Sequence, residues 1–386
     1  MDRRLLILAF GMFAIGTDGF VMAGVLPEIA RHFDVGIGAA GQMTTAYALS
    51  YALLAPTVAA IAGNVPRKRM LLLGMTVFVV ANLATAAAPN FVFALLTRVL
   101  AGLGAAMFAP TASGAGAMLV PAHRRGFALS IIVGGLTVAT ALGSPMGSLI
   151  GGLGDWRWTM MFVSALGALA FLGVMGFLSD IPMPPPVGLA KRMEPLTDSR
   201  IFLTLSTTLL SMAGFFTVYT YFSVVFDRAI GGNPVVLTAL LVTWGVAGTI
   251  GNLTTGRLVD RVGARKVLMI VLTLAAVDML SFLWTGATLW AASIAILVWG
   301  LTSWAVQVPQ QSRLVFLAPT AAPVVLGLNS AATYLGVTSA GIIGAAGIQT
   351  IGAHSLGIIG AVLALLALAA CEFATWRITS SALSAV

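Results

Sequence analysis

Charged residues lie inside apolar stretches, foremost Asp18, in Ile15-Gly-Thr-Asp-Gly-Phe20, and Arg98, in Leu95-Leu-Thr-Arg-Val-Leu100. An ionisable group so placed is costly and is usually kept for a task such as carrying a proton or holding a cation. Gly11, Ala14, Asp18, Met22 and Val25 recur at helical spacing, which puts Asp18 on a small-sided stripe suited to a cavity wall. Asp18 either takes a proton at one face of a barrier and releases it at the other, or is a structural acid hydrogen-bonded to Thr17 or a neighbouring helix. Arg98 needs an anion or backbone carbonyls if it is buried, and Asp18 is the nearest plausible acid. Otherwise its long side chain reaches out to the headgroups. Asp278 is another acid inside an apolar run, able either to bond a neighbouring helix or to meet a solute. Glu28 and Glu372 lie near the ends of such runs, where solvation is easy.

Other chemistries lack their residues. His32, His123 and His354 are scattered, and Cys371 is the one cysteine, so neither a metal site nor an internal disulfide is expected. The apolar runs hold no cluster of nucleophile and base, and no Gly-x-x-x-x-Gly-Lys-Ser/Thr phosphate loop occurs. The reading is of a protein that is not an enzyme, has no catalytic residues and needs no cofactor.

The elements that must hold these residues follow from composition. Of 386 residues, 59% are hydrophobic and 8% charged, with a mean hydropathy of +1.02. A soluble domain carries about 25% charged residues, so most of this surface faces lipid. Spans of roughly 20 apolar residues are predicted at 5–29, 38–62, 70–88, 91–119, 126–150, 159–178, 201–226, 235–256, 267–285, 288–311, 324–350 and 356–376. Each must be a helix, because lipid offers no partner to unpaired backbone groups. The run from Leu5 to about Ala30 is longer than a signal-peptide core and reads as a retained first span.

Loop charge supports twelve spans. Alternate loops collect Arg3 and Arg4; Arg67, Lys68 and Arg69; Arg124 and Arg125; Lys191, Arg192 and Arg200; Arg257, Arg261, Arg265 and Lys266; Arg313; and Arg377. Of the 20 basic residues, the opposite face receives only Arg31, Arg157 and Arg228, and Arg98 lies within a span. By the positive-inside rule both termini are then cytoplasmic, and the net charge of +8 reflects topology. Pro182, Pro184, Pro185 and Pro186 open a linker over 180–200, between halves at 1–179 and 201–386. Aligning Arg67-Lys68 with Arg265-Lys266 gives an offset of 198 residues, which carries Leu5 to Leu203 and Leu178 to Trp376. A duplicated six-helix unit is the mark of secondary transporters.

Gly256-Arg-Leu-Val-Asp-Arg-Val-Gly-Ala-Arg-Lys266 resembles the signature loop of the major facilitator superfamily, with Ala264 as one extra residue. The copy at Gly63 to Arg69 departs from it, with Asn64 and Pro66 in place of the pattern and no acid. Gly16-Thr-Asp-Gly-Phe20 through Gly24-Val-Leu-Pro-Glu-Ile-Ala30, Arg98-Val-Leu-Ala-Gly-Leu-Gly104, Val308-Pro-Gln-Gln-Ser-Arg313 and Gly327-Leu-Asn-Ser330 resemble its drug/proton antiporter branch and that branch's sugar- and nucleoside-efflux relatives. Gly143-Ser-Pro-Met-Gly147, running to Asp155-Trp-Arg157, is similar to the antiporter motif of the fifth helix, with Ser144 splitting the usual Gly-Pro pair.

The resemblance covers nearly the whole chain. It implies an all-α membrane protein of twelve transmembrane helices in two pseudo-symmetric six-helix bundles, with Asp18 and Arg98 as the proton-coupling pair. It places a gating lock at Asp260, Arg261 and Arg265. Gly143, Pro145 and Gly147, continued by Gly151, would form a smooth, bendable face on which one half rocks against the other, answered by Gly336, Gly341, Gly344 and Gly347. Spans that line the cavity in that family offer Tyr47, Tyr51, Phe216, Tyr219, Trp244, Trp304, Gln307, Gln311, Asn329 and Tyr334, a mixture suited to an amphipathic solute. The expected protein is a monomer in a bacterial inner membrane. It exports a small molecule in exchange for protons by alternating access, with the lipid bilayer and no nucleic acid as its surroundings. Import or uniport of a small metabolite is the alternative on the same fold.

Overall fold

The computed structural model describes residues 3–61, 65–121, 125–179, 194–318 and 321–383, and its long segments are all helices. They are α1 (Arg3–His32), α2 (Ile37–Ile61), α3 (Arg67–Ala86), α4 (Phe91–Met118), α5 (Arg125–Val138), α6 (Ser144–Leu153), α7 (Trp156–Phe177), α8 (Ser199–Thr220), α9 (Pro234–Val262), α10 (Ala264–Thr285), α11 (Leu289–Ala305), α12 (Gln307–Leu317), α13 (Ala322–Ile351) and α14 (Leu356–Leu383). Helices α5 and α6 form one span, joined through a π-turn at Ala139–Gly143, and α11 with α12 forms another. Among the described residues, 11 helices are long and apolar enough to cross a membrane. Helix α2, with 25 residues, occupies the remaining predicted span. The linker predicted at 180–200 lies outside the described residues up to position 193.

Both breaks within spans lie close to a proline. Pro145 lacks an N–H and its ring crowds the carbonyl four residues back. The ladder widens just before it, so that the Ser144 N–H bonds Ala139 O, five residues back. Pro309, likewise without an N–H, lies in the first turn of α12, just after α11 gives way at Val306. The seventh span, predicted to reach 226, ends at Thr220. Tyr221 leaves helical geometry there and its hydroxyl donates to Gly341 O at 2.7 Å. The chain continues as two single turns, Phe222–Val225 and Asp227–Ile230. Arg313, read above as a loop residue, sits inside α12, because that helix continues to Leu317.

Two compact units result, Met1–Gly188 with Asn233–Gly245, and Leu189–Gly232 with Val246–Val386. The repeat is visible in the helix starts. Adding 198 to the starts at 37, 67, 91, 125 and 156 gives 235, 265, 289, 323 and 354, against observed starts at 234, 264, 289, 322 and 356. Packing repeats as well: α1 lies against α5, α6 and α7, as α8 lies against α13 and α14. Likewise α3 packs on α4 and α7, as α10 packs on α11 and α14. Outward positions such as Leu73, Val80, Leu96 and Phe177 are exposed and apolar, as a lipid-facing surface requires. Polar helix starts are closed by side-chain caps at Asn90, Asp155 and Asp198, which satisfy orphan N–H groups. The Arg200 guanidinium hydrogen-bonded to Asp198 holds that carboxyl below its ordinary value.

The small-residue stripes admit close neighbours within each unit. A Cβ on Gly143 would fall 2.0 Å from Thr17 Oγ1, one on Gly147 2.6 Å from Val21 Cγ2, and one on Gly151 2.5 Å from Val25 Cγ1. Thr17, Val21 and Val25 repeat every four residues, so the stripe of α6 and the preceding π-turn meets a matching row on α1. In the second unit a Cβ on Gly336 would fall 2.6 Å from Leu209 O of α8. Close approach of backbones supplies the van der Waals contact that replaces the hydrophobic effect in lipid. Gly147→Ile should therefore lower the melting temperature in detergent, by the equivalent of about 1–3 kcal/mol of overpacking. Gly134→Ala, at a position with nothing within 4 Å, should leave it unchanged. Equal melting of Gly147→Ile and the wild type would refute the close contact.

Candidate functional site

Among the described residues of the first unit, one ion pair is fully buried, and it lies where four helices meet. Asp18 stands at the middle of α1 and Arg98 about two turns into α4, roughly 10 Å along the helix axis at 1.5 Å per residue. Neither side chain has any exposure, and Arg98 Nη1 donates to Asp18 Oδ1 at 2.6 Å. Asn82 of α3 completes the site. Its Nδ2 donates to Asp18 Oδ2 at 3.4 Å and to Phe78 O at 3.1 Å. Its Oδ1 accepts from Arg98 Nη1 at 3.2 Å. From α2 the Tyr47 ring lies 4.7 Å from Arg98 Cζ, close enough for cation–π attraction. Nearby, Thr85 Oγ1 donates to Thr97 Oγ1 at 2.8 Å and ties α3 to α4.

This arrangement can hold two charges away from water and respond when one is lost. Arg98 Nε and Nη2 have no hydrogen-bond partner among the described residues, so the guanidinium depends heavily on Asp18. Breaking a buried pair by removing one member costs about 3–5 kcal/mol, against about 0.5–1.5 kcal/mol for an ordinary hydrogen bond. The pair therefore dominates the local energetics. Thr17, the residue weighed above as a partner for Asp18, donates instead to Phe13 O of its own helix.

Among the described residues, the polar centre of the second unit carries no charge. Thr208 Oγ1 of α8 donates to Asn329 Oδ1 of α13 at 2.8 Å, and Asn329 Nδ2 donates to Gln307 Oε1 of α12 at 3.3 Å. Gln307 Nε2 donates to Thr333 Oγ1 at 3.3 Å. Fully buried Gln310 donates to Thr204 O at 2.8 Å and to Thr208 Oγ1 at 3.1 Å, while its Oε1 has no partner among the described residues. The result is a chain of neutral donors and acceptors with one acceptor to spare.

The other predicted residues fall in several places. Tyr51 and Trp244 are buried. Phe216 and Tyr219 pack at 5.4 Å between ring centroids, at one end of an aromatic core that runs through Phe222 and Trp299 to Phe282. Trp304 lies against Gly248 of α9. Tyr334 is half-buried and Gln311 exposed, so Gln311 faces away from the network that Gln307 joins. Asp260 and Arg261 are exposed at the end of α9, whereas Arg265 pairs with Glu372 of α14, Nε to Oε1 at 3.1 Å. Asp278 is half-buried, and its Oδ2 has no partner among the described residues, so the expected bond from that atom to a neighbouring helix is absent there. Sequence reasoning passed over Asn82, Thr208 and Gln310. Asn82 did leave a signal, as the lone carboxamide in the apolar third span, but Thr208 sits among several other hydroxyls and left none.

Comparison with known proteins bears on the chain as a whole. The chain matches the family model described as Major Facilitator Superfamily over residues 8–337. It is 32% identical over 369 residues to the inner membrane transport protein YdhP of Escherichia coli K12, covering 95% of each chain. It is 31% identical to the uncharacterized MFS-type transporter YtbD of Bacillus subtilis, over 90% of this chain and 89% of that one. To a probable sugar efflux transporter of Helicobacter pylori J99 it is 26% identical, over 96% and 95%. Among solved structures, a bacterial homolog of the human lysosomal transporter Spinster superposes with a TM-score of 0.75 at 17% identity, over 96% of both chains; that likeness concerns the fold alone.

The geometry of the ion pair makes its own test. Arg98→Gln should destabilise the protein by about 3–5 kcal/mol, because it leaves a carboxylate buried without its cation. Adding Asp18→Asn to it should recover much of that loss. Thermal unfolding of the two single variants and the double variant in detergent measures the coupling; additive losses would show that the two side chains do not depend on each other.

Proposed function

The chain belongs to the major facilitator superfamily, and we propose that it is a proton-coupled exporter of a small, neutral, amphipathic compound. Transport by a multi-pass membrane protein is the family's activity; the coupling, the direction and the solute are inferred here. The single observation that carries the reading is the buried Asp18–Arg98 pair, held by Asn82 and faced by Tyr47. A proton on Asp18 removes the charge that Arg98 is bonded to, leaving the guanidinium with Asn82 Oδ1 and the Tyr47 ring. A proton can shift a conformational equilibrium only through unequal affinity for the two states. A buried pair supplies that inequality, since loss of one charge is worth several kcal/mol away from water.

Solute recognition falls to the second unit in this reading. The Gln307, Asn329, Thr208 and Gln310 network is neutral, so it suits hydroxyl- or amide-bearing solutes over ions. Sugars, nucleosides and uncharged drug-like molecules meet that description. Resemblance to a protein named a probable sugar efflux transporter supports export. Because coupling free energies are reciprocal, solute binding in turn favours release of the proton from Asp18. Loop charge supports an inner-membrane setting with both termini in the cytoplasm.

Everted membrane vesicles with an acid interior test this directly. Addition of the exported solute should dissipate the pH gradient with wild-type protein and leave it intact with Asp18→Asn. Solute movement without any response of the gradient would make the protein a uniporter and defeat the coupling. A second outcome concerns the network. Asn329→Ala should raise the KM for the solute about tenfold, the ~1.4 kcal/mol of one or two lost hydrogen bonds, while solute-driven gradient dissipation survives at saturation. An unchanged KM would move recognition elsewhere.

A further inference from the structure

We propose that the end of the second unit where α10 begins and α14 ends binds the headgroup phosphate of an anionic phospholipid. A cavity of about 560 Å³ lies there, lined by Arg265, Ala369, Glu372, Phe373, Thr375 and Trp376. Its surroundings are short of negative charge. Arg265 and Lys266 occupy the first turn of α10, which holds no acid. That is the unfavourable end of the helix dipole for a cation, and the favourable end for a bound anion. Glu372 is the one acid among the lining residues, and Arg265 already engages it through Nε and Nη2.

A second observation points the same way. Arg313 of α12 is only 8% exposed. It donates to Cys371 Sγ at 2.8 Å, Cys371 O at 3.4 Å and Thr375 Oγ1 at 3.1 Å. All three acceptors are uncharged, and the acid that attracts Arg313, Glu372, is the one Arg265 already holds in an ion pair. One carboxylate thus serves two guanidiniums, which leaves a surplus of positive charge at this end of the unit. Thr375, which accepts its hydrogen bond, also lines the cavity. An anion placed there would offset that surplus from the far side of the hydroxyl.

The wall of the cavity selects a lipid over a soluble phosphate. Phe373 and Trp376 stack at 5.5 Å and are 48% and 55% exposed. The Arg377 guanidinium lies 5.6 Å and 5.3 Å from their ring centroids. An aromatic surface at the end of a membrane span sits at headgroup depth, where acyl and glycerol groups can lie on it while an arginine meets the phosphate. Free phosphate gains nothing from such a wall. Assigning the site to the cytoplasmic leaflet rests on the orientation proposed above; the binding itself does not.

Native mass spectrometry of the purified full chain, titrated with phosphatidylglycerol, tests the site without any transport assay. Arg377→Gln, which leaves the Arg265–Glu372 pair in place, should weaken phosphatidylglycerol binding about fivefold, the ~1 kcal/mol that one basic residue contributes at a charged membrane surface. Glu372→Gln removes the competing carboxylate and should strengthen it. Phosphatidylcholine should bind more weakly than phosphatidylglycerol to the wild type, and millimolar inorganic phosphate should not displace the lipid. Unchanged affinity in both variants would overturn the proposal, as would equal binding of phosphatidylcholine. Displacement by inorganic phosphate would reassign the cavity to a soluble anion.

Discussion

A carboxylate and a guanidinium with no access to water can persist only if each neutralises the other, and this requirement organises the first unit. Asp18 and Arg98 come from helices 80 residues apart in sequence, so α1 and α4 must approach at one depth. Asn82 and Tyr47 bring α3 and α2 to the same point. Four of the six spans in this unit are thereby registered by a single polar contact. In lipid, where apolar packing between helices gains little over packing against acyl chains, such a contact fixes register that hydrophobic burial cannot.

The duplication makes the contrast between the units informative. The 198-residue offset reproduces helix starts to within two residues at five positions, and it carries Asp18 to Phe216 and Arg98 to Ile296. One frame therefore holds an ion pair in one copy and apolar or aromatic residues in the other. The second copy places its polar groups elsewhere, on α8, α12 and α13, and makes them neutral. In the function proposed above, the charged centre serves proton exchange and the neutral one solute contact.

Small-residue stripes serve both copies alike. On α6 they admit α1, and on α13 they admit α8. Spacing marks a face for close approach but does not name the helix that fills it. In the first unit the stripe also bears on the ion pair: Thr17, the neighbour of Asp18, lies directly against Gly143.

Composition alone determined that the chain lies in a membrane, since so few charges cannot cover a water-facing surface. Apolar run length determined the spans, loop charge their expected orientation, and the repeated Arg-Lys loop the duplication. Asp18 and Arg98 were legible because charge is rare enough in lipid to need a reason. Tertiary structure alone decided what each of them touches. Asn82 emerged as the third member of the pair because a carboxamide in a span signals polarity but not its partner. Arg265 was drawn to Glu372, and Arg313 to a thiol and a hydroxyl, since side-chain contacts between spans depend on helix rotation and depth. Sequence period fixes which residues share a face; only the packed bundle fixes which face meets which.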